Sequence, residues 1–329
     1  MPYADAVVEN DQERIRFITA DSDTKPAHQQ SALTYDQNKK TFYAPNTIYS
    51  ALHDTALHPT SDNADALLFE AAILTSRYGY DTRETEQRLR DFSRQIRVPL
   101  NHAPLHTCVS PELPPLYYRD LLVLMLTGAF PEKGFAFLKR CGFIAQHWPE
   151  LDAITETTHA KDFHPEGDLW QHTMETFFHR KSRDFSLSLA LLLHDIGKPR
   201  ADSHGGNRFY AHAEIGSSIA ENFLTRLGFD QKLIEKVVFL IRYHMLPYGL
   251  PSLPFSRIEE QLSSPYFPYL LELFRCDELS TFKGPELYYE ACARYKEWCR
   301  LSKNPYRTID NRKFDGRRKQ KSMQKGHQS

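Results

Sequence analysis

The sequence predicts a mainly α-helical protein, and three observations carry that reading. From 166 to 301 apolar residues recur at helical spacing almost without a break, glycine and proline punctuate the runs, and only residues 1–60 depart from the pattern. That first segment is polar, contains proline and lacks glycine; "FITADSDTKPAHQQSALTYDQNKKTFYAP" reads as loops with a short strand.

Regular periodicity begins at Ala64. "ADALLFEAAILTSRYGY" reads as an apolar helix stopped at Gly79, and "TRETEQRLRDFSRQI" as a more charged one. "PPLYYRDLLVLMLTGAF" and "KGFAFLKRCGFIAQHWPEL" are two further helices. Beyond them the pattern predicts helices over 168–181, 185–195, 212–227, 231–244, 256–262, 266–281 and 285–301. The turns between them include "GKPRADSHGGNRF" and "LPYGLPSLP", and no internal repeat is found.

At 329 residues the chain is long enough for two domains or for one domain with an extension. Its 41 basic and 42 acidic side chains nearly cancel, so net charge selects no partner, but the distribution is uneven. From Leu301 onward nine basic residues face two acids, and this apolar-poor stretch reads as a disordered basic tail. The five cysteines, Cys108, Cys141, Cys276, Cys292 and Cys299, form no CxxC pair, which argues against a zinc ribbon or a disulfide framework. The amino terminus lacks the basic and apolar regions of a signal peptide, and no stretch approaches the roughly 18 apolar residues of a membrane span. A cytoplasmic protein with no membrane partner is expected.

Chemistry enters with the polar residues that interrupt the helices. His172 lies in "DLWQHTMETFF", His194 and Asp195 in "LLLHDIGK", His212 in "FYAHAEIG", His244 in "LIRYHMLPY" and Asp277 in "LFRCDELS". Each histidine taken alone is an ordinary satisfied core residue, and Asp277 alone is a cap or an ion-pair partner. Together they supply imidazole and carboxylate from five predicted helices, a donor set that suits a divalent metal in a bundle interior. An unpaired buried carboxylate costs several kcal/mol, so Asp195 at the end of a leucine run demands a cation, a metal or hydrogen bonds.

The order His172, then His194–Asp195 in "HDIGKP", then Asp277 resembles the HD superfamily of metal-dependent phosphohydrolases. The resemblance implies that His172, His194, Asp195 and Asp277 bind a metal. Some members place two more histidines before the last aspartate and hold two metals; His212 and His244 lie in that interval, so a second ion with Asp195 bridging is one role for them, and substrate contact or support of the ligands is another. The metal implied is manganese, magnesium, nickel, cobalt or iron, as one or two ions.

Over roughly residues 60–300 the chain is also similar to the neck, body and HD domain of bacterial tRNA nucleotidyltransferases and poly(A) polymerases. "SPELPPLYYRDLLVLMLTGAFPEKGFAFLKRCGFIAQHWPELDAI" and "HPEGDLWQHTMETF" carry that similarity, and "ADALLFEAAILTSRYGYDTRE" extends it. The architecture implied is a multi-helix HD bundle at 156–302 preceded by a helical neck and body at 61–155, with a poorly defined segment at 1–60 and the basic tail at 303–329.

One departure bears on activity. Nucleotide addition in that family uses a glycine-containing turn against the triphosphate and paired carboxylates for two metals. Residues 1–78 contain no glycine, and "DSD" at 21–23 reads as a short acidic loop. Nucleotide addition is therefore expected to be absent. The expected activity is hydrolysis of a nucleotide or RNA-end phosphate ester, with Asp195 and Lys198 catalytic; Lys198 either reaches a phosphate oxygen or complements a helix carboxyl end. Arg242 and His204 are phosphate-contact candidates by sequence proximity alone. Trp170 is read as core, and His164, Pro165 and Glu166 as the entry to the ligand helix with Asp168 as its cap. The alternative is a tRNA-binding protein with little or no catalysis.

Overall fold

A computed structural model of the chain describes residues 64–95, 114–155, 169–201, 208–281 and 284–303, with the backbone of four short strands before them. The basic tail beyond residue 303, Cys108, His164, Pro165, Glu166, Asp168 and His204 lie outside the described residues. The strands form two antiparallel pairs. β1 (Asp5–Glu9) pairs with β2 (Gln12–Arg16), Asp5 opposite Arg16, and β3 (Thr34–Asp36) pairs with β4 (Thr41–Tyr43), Thr34 opposite Tyr43. The first segment thus holds more strand than its sequence suggests.

All other described elements are helical. The body comprises α1 (Ala64–Tyr78), α2 (Arg83–Gln95), α3 (Pro115–Leu126), α4 (Pro131–Arg140), α5 (Phe143–His147) and α6 (Pro149–Thr155). Helix α1 is buried from Leu68 to Ser76 and packs on both α3 and α4. The sequence reads residues 133–151 as one helix, whereas the chain breaks it twice. At Gly142 the backbone turns left-handed, φ 75°, a conformation glycine adopts without steric cost, and Pro149 then starts α6.

The second half contains α7 (Leu169–Thr176) with a 3-10 turn (Phe177–His179), α8 (Phe185–Leu193), α9 (Lys198–Ala201) and α10 (Arg208–Arg226). It continues with α11 (Gln231–Tyr243), α12 (Leu246–Gly249), α13 (Phe255–Ser263), α14 (Phe267–Leu279) and α15 (Glu286–Ser302). Helix α8 is the axis of this half. Asp184 caps it, its Oδ1 accepting from the Leu187 amide at 2.8 Å, and every residue from Ser186 to Leu193 is buried. A helix apolar on all sides belongs in the middle of a bundle, and α8 touches α3, α7, α11 and α14. Asp230 caps α11 in the same way, at 3.0 Å from the Leu233 amide.

One apolar cluster runs continuously from Leu68 in α1 to Trp298 in α15, so body and bundle share a core. Trp170 belongs to it, 6% exposed. Cys141 and Cys276 are buried, and the four described cysteines are free thiols.

Candidate metal centre

The central helix α8 ends at Leu193, and residues 194–197 form a tight turn before α9. The Ile196 amide bonds the Leu193 carbonyl at 3.1 Å and the Lys198 amide the Asp195 carbonyl at 3.0 Å. His194 and Asp195 therefore sit in the turn rather than on the predicted helix 185–195. His172 comes from α7, His212 from α10, Asp277 from α14, and His244 caps α11.

Gly197 sets how closely α10 approaches. A Cβ on Gly197 would lie 2.1 Å from the His212 carbonyl oxygen and 2.5 Å from the Gly216 amide nitrogen. With no side chain at 197 the turn lies directly on α10, and His212 reaches Asp195.

All six residues converge. On one side of Asp195, Oδ2 lies 3.3 Å from His194 Nε2 and 3.7 Å from His172 Nε2. Asp277 Oδ1 joins this side at 3.0 Å from His172 Nε2 and 3.7 Å from His194 Nε2. On the other side Asp195 Oδ1 lies 3.5 Å from His212 Nε2 and 3.8 Å from His244 Nε2, which are 3.0 Å from each other. The cluster comprises two groups able to hold a metal ion, His172–His194–Asp195 and Asp195–His212–His244, every member buried. Edges of 3 to 4 Å are those of ligands each about 2.1 Å from a common ion.

Three of the imidazoles are oriented by their far nitrogens. Nδ1 of His194 bonds the Leu191 carbonyl at 2.8 Å and Nδ1 of His244 the Ile241 carbonyl at 2.7 Å. Nδ1 of His172 meets Ser280 Oγ at 3.1 Å, and that hydroxyl donates to the Asp277 carbonyl at 2.6 Å, so it accepts from the ring. With the proton held on Nδ1, the atom facing the carboxylates is Nε2 with its lone pair, the form a metal requires. His194 Nε2 is buried and completes no directed hydrogen bond, which fits a cation between it and the neighbouring carboxylates.

The charges agree. Burial alone would raise the pKa of Asp195, but His194 and Lys198 outweigh it and hold the group well below the usual carboxylate range. Asp277 is likewise held low against its burial by His172 and His194. Burial disfavours a charged His194, yet Asp195 and Asp277 carry its pKa up to about 10. His244 moves the other way, to about 3, through burial and the neighbouring His212. Without an ion, then, the His194 proton and the Lys198 ammonium, 2.6 Å from Asp195 Oδ2, gather on the first side. A divalent ion supplies the same charge.

The sequence reading misses three contributors. Ser280 lies one turn beyond Asp277 and orients His172. Glu278, fully buried, accepts from Tyr248 Oη at 2.5 Å. That contact and burial push the tyrosine pKa upward, burial most of all. Glu278 adjoins Asp277 in "CDELS", a signal legible in the sequence; Tyr248 carries none. Arg242 engages Ser217 at 3.3 Å and Glu214 at 3.2 Å, with no contact to the cluster.

A helical bundle whose centre is this His/Asp cluster has the arrangement of an HD-type domain, with side-chain groups able to hold metal ions. Residues 170–281 match the HD domain family model, and the chain carries that domain. Over 227 residues, 65% of the chain, it is 31% identical to a CC-adding tRNA nucleotidyltransferase of Thermus thermophilus, of which it covers 49%. It is 30% identical over 147 residues to a Multifunctional CCA protein of Alkalilimnicola ehrlichii, covering 34% of that protein, and 29% identical over 123 residues to one of Nitrosococcus oceani, covering 30%. The chain thus spans half or less of the length of these relatives. Among the described residues no helix is long and apolar enough to cross a membrane.

Proposed function

We propose that this chain is a metal-dependent phosphohydrolase that cleaves a phosphate ester of a nucleotide or an RNA end, such as a 2',3'-cyclic phosphate, a 2'-nucleotide or a terminal phosphomonoester. The observation that carries this reading is the division of Asp195 between two pairs of buried histidines, one oxygen facing each pair. In this reading His172, His194, Asp195 and Asp277 hold one divalent ion, and Asp195, His212 and His244 a second. Ions held there lower the pKa of bound water and offset charge on the phosphoryl group.

The chain's own residues supply orientation and charge. The Nδ1 contacts of His172, His194 and His244 keep their Nε2 atoms turned inward. Lys198, 16% exposed at its side chain, rests on Asp195 and is positioned to turn toward a phosphate oxygen. Similarity to a CC-adding tRNA nucleotidyltransferase supports a nucleotide or RNA-end substrate.

The test is turnover on a panel of 2',3'-cyclic nucleotides, nucleoside monophosphates and a generic phosphodiester, with manganese, nickel, cobalt or magnesium added. Metal-dependent release lost in His194→Ala supports the reading; a folded protein with no turnover on any combination sinks it. The extent of similarity to the Thermus enzyme favours a second reading, a tRNA-binding protein with little catalysis, whose sign is salt-dependent tRNA affinity. The expected absence of nucleotide addition is checked by CMP and AMP incorporation into tRNA.

A further inference from the structure

Resting on the two-ion reading proposed above, we infer that the Tyr248–Glu278 hydrogen bond is a positioning clasp for the second ion: it ties the segment that carries His244 to the helix that carries Asp277, and so keeps His244 within reach of Asp195 Oδ1. Tyr248 Oη donates to Glu278 Oε1 at 2.5 Å. The bond joins the two sides of the centre. Glu278 follows Asp277 on α14, the helix that serves the His172 and His194 side, whereas Tyr248 lies on α12, in the segment that continues from His244. The backbone between them stays right-handed helical, with φ −59° and ψ −26° at His244 and φ −81° and ψ −12° at Met245. One short stretch of chain therefore carries both the imidazole and the phenol.

Helix α14 holds the tyrosine in two places. Phe274, one turn before Glu278 and fully buried, meets the phenol ring edge-on, centroids 4.9 Å apart at 71°, and Glu278 takes the hydroxyl. The bond from His244 Nδ1 to the Ile241 carbonyl, 2.7 Å, stays within its own segment. It turns the imidazole but does not set where the end of α11 stands against α14. Apolar packing of α11 on α14 is non-directional, whereas the hydroxyl bond has a defined length and direction.

A tie that served stability alone would not be built from these groups. Glu278 is fully buried, and the charges of Asp277, Glu278 and Asp195 all act on the Tyr248 hydroxyl. A third buried carboxylate in that field adds desolvation and repulsion, and an apolar pair of similar volume would join the two helices at lower cost. The acid is reasonable beside divalent charge, and the donor then fixes its direction.

The test is a calorimetric titration with manganese alone, on the full chain stripped of divalent ions and with no substrate present. Wild type is expected to take up two ions in separable steps, and His212→Ala to lose the second, which assigns it. Tyr248→Phe keeps the ring against Phe274 and removes only the hydroxyl oxygen. It should weaken the second step by about ten- to a hundred-fold, the usual loss when a residue supporting a ligand is removed, while the first step keeps its wild-type affinity. Glu278→Gln retains an oxygen that accepts from the hydroxyl and should bind far closer to wild type than Glu278→Leu, which should match Tyr248→Phe. A single ion in wild type, an unchanged second step in Tyr248→Phe, equal weakening of both steps, as a general loosening of the fold would give, or a Glu278→Gln variant as weak as Glu278→Leu would overturn the inference. Hydrolysis is read separately: a chain inactive on the nucleotide panel can still show the split between the two steps, and an active chain without the split loses only the clasp.

Discussion

Glu70 in the body and Asp195 in the bundle are buried alike, at 0% and 2% exposure, and their carboxyl groups respond in opposite directions. Neither oxygen of Glu70 has a hydrogen-bond partner, and burial drives its pKa well above the ordinary value. Asp195 bears the same burial among four imidazoles and a lysine, and its pKa falls. Depth alone therefore does not fix the ionisation of a buried acid; the neighbours decide it. Burial pushes one carboxyl group toward its neutral form, and the other is held charged by a shell of donors that fits an ion.

The contrast is broken most severely at Asp195 itself. Asp195→Ala removes the group shared by both histidine pairs, and both bound metal and turnover are expected to fall to background, a loss of at least about a thousand-fold in kcat/KM. Metal analysis beside a rate assay checks it; retained activity would mean that the cluster is only structural. Ser280→Ala frees the His172 ring without removing a ligand and should weaken metal binding by about ten- to a hundred-fold, read by competition with a chelating dye.

Lys198→Ala leaves the histidine pairs in place. It should lower kcat by about ten-fold, equivalent to about 1.4 kcal/mol, with metal content maintained; unchanged kcat would reduce the lysine to a charge partner of Asp195. The smallest effect lies at Glu70. Glu70→Gln should raise the melting temperature at pH 7 by about 2–4 °C, the shift that about 1 kcal/mol makes in a domain of 150–250 residues. The sign follows from linkage: with the folded pKa raised, the unfolded chain ionises first, and wild-type stability falls as pH rises from 4.5 toward the folded value. The gap to the variant should close as pH is lowered to that limit, and a pH-independent gap would place its origin elsewhere.

The histidines and aspartates of the centre were legible because each interrupts an apolar helix, and such an interruption has few stable explanations. Their division into two groups around the separate oxygens of Asp195 was not, since sequence order does not say which atom faces which neighbour. The bundle helices follow their apolar periodicity to within a few residues. The body helix at 133–151 does not, because a left-handed Gly142 leaves no trace in periodicity. Ser280 and Tyr248 escaped because a lone hydroxyl has many ordinary roles.

Gly197 contacts no substrate in any reading advanced above, yet the space for its side chain is already taken by the His212 carbonyl at 2.1 Å from where a Cβ would stand. In a saturation library scored for activity, this position should be as intolerant as the histidines and aspartates of the cluster, and alanine should fare as poorly as tryptophan, because the first carbon already collides. A catalogue of intolerant sites would thus include a residue with no chemistry of its own, whose contribution is vacancy.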